Sequence, residues 1–245
     1  MAPIADPGID GALQFIDGLR EDDDRASYYE VAEKTHSQHK VFPQTQYVLY
    51  ITFNALSLTQ QAVRIAGAHD FSKPDTVDLT RNGRPANDTY CVLEGNLKPF
   101  RLAGQMDSDY NDEMALLSVY WLERKVPIIG NRLYRKNADR IWNKLLSRSD
   151  RVNGVLEMDP AEKEITPTKP QPLHAVFKLA LFGILAKQMA DLSTLHIVQS
   201  TLRQWQHAKG GWETDRTIDL KPNGVANLET TCLSILALTD SFLSV

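Results

Sequence analysis

The sequence predicts a mainly all-α fold of two concentric helical layers, with a small β-hairpin insertion. Three observations carry that expectation. Segments apolar nearly all round alternate with segments that have one apolar face, Gly and Pro punctuate them, and Asn82-Gly83 stands between two short β-prone pieces. A helix without a polar face needs neighbours on every side, whereas an amphipathic helix covers it and meets water, so alternation implies an inner and an outer layer.

Taken in order, the N-terminal MAPIADPGIDGALQFIDGLREDDDR is acidic and broken by Pro3, Pro7, Gly8 and Gly11, so it does not read as a secretory signal. Val41 to Val63 carries no charged side chain, but its Pro43, Gln44, Gln46, Thr52, Asn54, Thr59, Gln60 and Gln61 would be stranded in hydrocarbon, so it is not a membrane span. Within it, Tyr47 to Leu58 suits an inner helix extending to Ala66, and also a strand. Residues 76–94 read as the hairpin insertion. Asp112 to Lys125 is a helix apolar around much of its circumference. Arg132 to Arg148 sets Leu133, Ile141, Leu145 and Leu146 among six basic residues, the pattern of an outer helix. Residues 159–172 hold four prolines and form a surface loop. Pro172 to Met189 and Leu228 to Leu243 are again apolar nearly all round, and Ser193 to His207 is amphipathic.

The 245 residues, 42% hydrophobic and 24% charged, suffice for a single domain with a sizeable core. With 27 Lys and Arg against 31 Asp and Glu, the net charge of −4 argues against nonspecific nucleic-acid binding. Cys91 and Cys232 read as small buried residues in a reducing compartment, and a cytoplasmic protein without cofactor or metal is expected. His36 and His39 share a spacing that fits one helical face, yet no third ligand stands nearby, so they read as surface residues. His174 and His196 read as hydrogen-bonded residues in or beside apolar helices. No serine or cysteine has a recognisable nucleophile setting.

An internal repeat narrows the fold. Leu202-x3-Gln206-x3-Gly210-x-Trp212 shares its skeleton with Leu146-x3-Asp150-x3-Gly154-x-Leu156, fifty-six residues earlier. The leucine belongs to the last helical turns, Gln or Asp lies near the helix end, and Gly is expected to terminate the helix in the left-handed conformation. The Trp then lies back over the turn, its N–H seeking a carbonyl. This element resembles the QW repeat of the terpenoid-cyclase and protein-prenyltransferase superfamily, with Gln206, Gly210 and Trp212 matching its core and Thr201 replacing the usual aromatic. The following GVANLETTCLSILAL is similar to the inner helix that succeeds such repeats in squalene–hopene-cyclase-like proteins. The resemblance covers about residues 132–245, weakly back to about 105, and leaves residues 1–100 unplaced. It implies an α/α toroid around a central cavity. The chain has fewer helices than a closed ring of pairs requires, so the ring is incomplete or completed by another copy or a partner subunit.

An acidic box precedes the helix from Asp112. Asp107, Asp109, Asp112 and Glu113 fall within seven residues, and two readings compete. Carboxylates at a helix N-terminus are favoured by capping and by the macrodipole. Alternatively, Asp109-Tyr110-Asn111-Asp112 resembles the Asp-x-Asp-Asp motif of class II terpene cyclases, in which an aspartic acid protonates an alkene or epoxide. Asn111 occupies the proton donor's position and an amide cannot supply that proton, so Asp109, Asp112 or Glu113 would have to act. Tyr50, Phe53, Tyr120, Trp121, Phe177 and Phe182 are candidate cavity aromatics for stabilising a cation, and aromatics at such spacing also serve as plain core.

Other chemistries of the superfamily lack their motifs. Neither Asp88-Thr89-Tyr90-Cys91 nor Glu229-x-x-Cys232 has the zinc spacing of protein prenyltransferases, there is no thioester string, and Asp22-Asp23-Asp24-Arg25-Ala26 stops short of a diphosphate-binding motif. Three function classes therefore stand at this level: a terpenoid-cyclase-like protein binding an apolar isoprenoid, with or without acid-initiated cyclisation; a non-catalytic toroid serving interaction or scaffolding; and a carbohydrate-active toroid, whose carboxyl pair would lie about 5–9.5 Å apart.

Overall fold

A computed structural model of the chain describes residues 6–21, 26–36, 39–69, 74–75, 79–81, 84–86, 90–93, 96–99, 142–143, 146–147, 149–150, 155–156 and 171–239. The described protein is mostly helical, with small antiparallel sheets. The chain divides into two compact units: residues 1–69 with 150–245, and residues 70–149.

In the first unit, α1 (Pro7–Asp17) begins at Asp6, whose carboxylate accepts the Gly8 N–H at 2.9 Å, with Pro7 at the first helical position. The next segment, open to helix or strand in the sequence, is helical. It forms α2 (Pro43–Ala55) and, separately, α3 (Thr59–Ala68), rather than one helix reaching Ala66. The break has a local cause. Ser57 takes a left-handed φ of 59°, and the Leu58 and Ser57 N–H groups return to the Phe53 and Asn54 carbonyls, which closes the helix end.

Toward the C-terminus, the expected helix from Pro172 starts late. Leu173–Ala175 is strand β8, paired with Thr217, Arg216 and Asp215, and α4 (Val176–Gln188) follows. Ala190, at φ 56°, ends α4 with the same pair of return bonds. Asp191 then caps α5 (Leu192–Trp205) by accepting the Thr194 N–H at 3.0 Å. Strands β9 (Trp212–Thr217) and β10 (Pro222–Asn227) form a hairpin that the sequence did not announce, and β8, β9 and β10 make one antiparallel sheet. Helix α6 (Leu228–Leu238) closes the series.

The alternation of helix types is realised as pairs. Described side chains of α2 and α4 are buried or half-buried, and every residue of α6 except Glu229 is buried. By contrast, α1, α3 and α5 bury one face each, through Ala12 and Ile16, Ala62 and Ile65, and the stripe from Thr194 to Trp205. Helix α6 packs against α2 and α4, while α3 packs on α2, α5 on α4 and α1 on α6.

In the second unit, β2 (Leu79–Arg81) pairs with β3 (Arg84–Ala86) in the register Arg81↔Arg84, on either side of the expected Asn82-Gly83, which lies outside the described residues. Strands β1 (Pro74–Asp75), β4 (Tyr90–Leu93) and β5 (Asn96–Pro99) form a second three-stranded sheet. Where the chain passes from the second unit back to the first, the short strands β6 (Ser149–Asp150) and β7 (Val155–Leu156) pair at the earlier copy of the repeat. The expected helix from Asp112 and all of the expected 159–172 loop except residues 171 and 172 lie outside the described residues.

Candidate functional site

The repeat element is a tightly bonded turn. Trp212 is fully buried, and its Nε1–H donates to the Leu202 carbonyl at 2.7 Å. That carbonyl is freed because the Gln206 N–H, its partner in a continuing helix, turns instead to the Arg203 carbonyl at 3.4 Å. The Trp212 backbone N–H donates to Thr231 Oγ1 at 3.2 Å, so this residue ties the end of α5 to the start of α6.

Gln206 and Gly210 play different parts from those expected. Helix α5 stops at Trp205 with Gln206 extended (φ −60°, ψ 131°), so Gly210 does not terminate the helix. Gly210 does take a left-handed φ of 95°, four residues further on. The extended backbone aims the Gln206 amide across the turn, where Nε2 donates to the Gly210 and Gly8 carbonyls at 2.6 Å each. A β-carbon on Gly210 would lie 1.9 Å from the Gly11 carbonyl oxygen. The turn is therefore the seat of α1, and Arg203 adds a 3.0 Å ion pair to Asp6. Sequence reasoning left this N-terminal helix without a place.

Both ends of α6 are satisfied by remote side chains. At its N-terminus Glu30 accepts the Leu228 N–H on its carbonyl at 2.8 Å and the Glu229 N–H on Oε1 at 3.1 Å. Glu30 is buried, and its Oε2 has no hydrogen-bond partner among the described residues. Burial pushes its carboxyl above the ordinary 4.5, against the opposing pull of the Glu229 N–H and the Thr45 hydroxyl. At the C-terminus, buried Lys187 donates to the Leu236 carbonyl at 2.9 Å and to the Thr239 carbonyl, and Gln199 Nε2 donates to the Ala237 carbonyl at 3.0 Å. A carboxyl at the positive end and an ammonium at the negative end match the helix dipole. Arg216 does the same for α5, donating to the Trp205 carbonyl while paired with buried Glu213 at 3.2 Å. None of Glu30, Lys187, Gln199, Glu213 or Arg216 stands out in the sequence, because each finds its partner through the fold.

Of the cavity aromatics, Phe53 and Phe182 are 4% and 2% exposed, and Tyr50 and Phe177 are half-buried. Phe53 meets Tyr28 edge-to-face at 6.3 Å. Asp109, Asp112, Glu113, Tyr120 and Trp121 lie outside the described residues. Burial pushes the Cys232 thiol far up, so it stays protonated and is a poor nucleophile. Among the described residues no cluster of His, Cys, Asp and Glu could hold a metal ion, and no helix is long and apolar enough to cross a membrane. Compared with known proteins, the chain matches no family model, no curated protein and no solved structure.

Proposed function

We propose that the chain is a divergent protein of the terpenoid-cyclase type that binds an apolar isoprenoid ligand between its helix pairs. The reaction we assign to it is acid-initiated cyclisation at the box Asp109, Asp112 and Glu113. The supporting observation is the turn at 202–212, in which buried Trp212 reaches back to the Leu202 carbonyl and Gln206 spans to Gly210. Of the roles expected for that element, the one met is the Trp N–H reaching back to a helix-end carbonyl. Pairing of all-round-buried helices with one-faced ones adds support.

In this reading one carboxyl of the box protonates an alkene, a neighbour orients it, and the resulting carbocation closes a ring against aromatic faces. The setting is cytoplasmic, and another copy or a partner subunit completes the ring of helices. Incubation of the full chain with polyprenyl substrates, followed by product analysis, tests it. A cyclised product is expected, falling at least about 100-fold in Asp109→Asn or Asp112→Asn if that residue is the acid or its partner. Turnover unchanged in both removes the box from the mechanism.

A second reading, a non-catalytic interaction or scaffold protein, is favoured by one observation. Phe53 and Phe182 are almost wholly enclosed, as core residues are. It predicts no product from any isoprenoid.

A further inference from the structure

The stretch before α2 gathers a hydroxyl, an imidazole and a carboxylate that the reading above does not use. Residues 19–21 and 27–29 pair: the Tyr29 N–H donates to the Leu19 carbonyl and the Glu21 N–H to the Ser27 carbonyl, at 2.8 Å each. Arg20 and Tyr28 bridge in antiparallel fashion between them. Ala26, directly before Ser27, is held at a left-handed φ of 54°, a conformation that costs a residue with a β-carbon about 1–2 kcal/mol. Such outliers concentrate where geometry serves a site.

That backbone delivers Ser27 Oγ to 3.2 Å from Nε2 of His69, the residue that ends α3, forty-two positions away. Ser27 is buried and His69 half-buried. Burial lowers the proton affinity of His69 below the ordinary 6.5, against the pull of the Glu21 carboxylate, so the ring is neutral at pH 7 and able to accept a proton. The Tyr29 hydroxyl donates to Glu21 Oε1 at 3.2 Å and fixes that carboxylate. A hydroxyl bonded to a neutral imidazole that feels a nearby carboxylate is the arrangement by which serine is activated for attack.

We propose that Ser27 is a nucleophile activated by His69, and that this cluster is an acyl-transfer site for small uncharged carboxylic esters. Ser27 Oγ attacks the ester carbonyl carbon while its proton passes to His69 Nε2. The bond to the alcohol breaks as that oxygen takes the proton from His69, leaving an acyl-Ser27. Water, deprotonated by His69, then releases the acid and restores the serine. Glu21 supports the transient imidazolium as a positioning residue. The enclosed hydroxyl and the adjacent carboxylate favour a small, uncharged acyl group.

The test uses the full chain with p-nitrophenyl acetate and, separately, a fluorophosphonate followed by peptide mass mapping. The fluorophosphonate adduct is expected on Ser27, Ser27→Ala should bring ester hydrolysis to the buffer rate, and His69→Gln should lower it about 100-fold or more. Labelling of the unmodified chain needs no variant to fold. A chain left unlabelled, a label on another residue, or hydrolysis unchanged in Ser27→Ala would overturn the proposal and leave the Ser27–His69 bond as a structural tie at the end of α3.

Discussion

At the scale of single residues, Trp212 and Gly210 make the turn specific. Phenylalanine at 212 keeps an aromatic ring in the buried site but leaves the Leu202 carbonyl without its donor. Trp212→Phe should therefore cost about 1–3 kcal/mol in chemical denaturation. Gly210→Ala should cost more than the usual glycine substitution, since its backbone is left-handed and the added carbon collides with the Gly11 carbonyl. Gly67 in α3, with nothing within 4 Å of an added carbon, is the matched control, and Gly67→Ala should be neutral or stabilising. Equal effects at the two glycines would show that α1 is not seated on the turn. The Gln, Gly and Trp could be picked out in the sequence because the motif is short and local. Seating of α1 could not, because Gly8 and Gly11 meet Gln206 and Gly210 only through the fold.

For whole elements, periodicity was readable and boundaries were less so. Helices α2, α4 and α6 lack a polar face, and that property is written in consecutive residues. Their ends were harder, because Ser57 and Ala190 occupy the left-handed positions where glycine would have flagged a stop. Strand β9, WETDRT, escaped notice because it is mostly polar and does not alternate. Helix α6 also yields a pH prediction. Helix α2 contributes no charged side chain, and Glu229 is the only ionised one on α6, so Glu30 has no cationic partner on either helix. Its folded carboxyl value is raised, so the native state keeps a proton that the unfolded chain gives up above 4.5. The contribution of Glu30 is thus fully present below that value and is lost as pH rises through the folded value. Urea denaturation of the wild type and Glu30→Gln across this window should show the wild type losing stability relative to the variant. Parallel curves would mean that Glu30 titrates alike in the folded and unfolded chain.

Across the whole molecule, the proposed isoprenoid-binding reading rests on helical pairing and on the turn at 202–212, and its acid box rests on sequence alone. Mainly helical architecture and the 79–86 hairpin could be anticipated because both are set by local patterning. Remote capping by Glu30, Lys187, Gln199 and Arg216, and the meeting of Ser27 with His69, depend on contacts between distant parts of the chain and leave no spacing to read. In the function proposed above, the helix pairs enclose a branched, unsaturated hydrocarbon chain. The measurement that tests this most directly is the unfolding free energy of the full chain with geranylgeraniol, set against a saturated straight-chain alcohol of equal length. A saturable rise with the isoprenoid only is expected, reaching about 2.7 kcal/mol at a hundredfold excess over Kd. No rise, or the same rise with both alcohols, would contradict it.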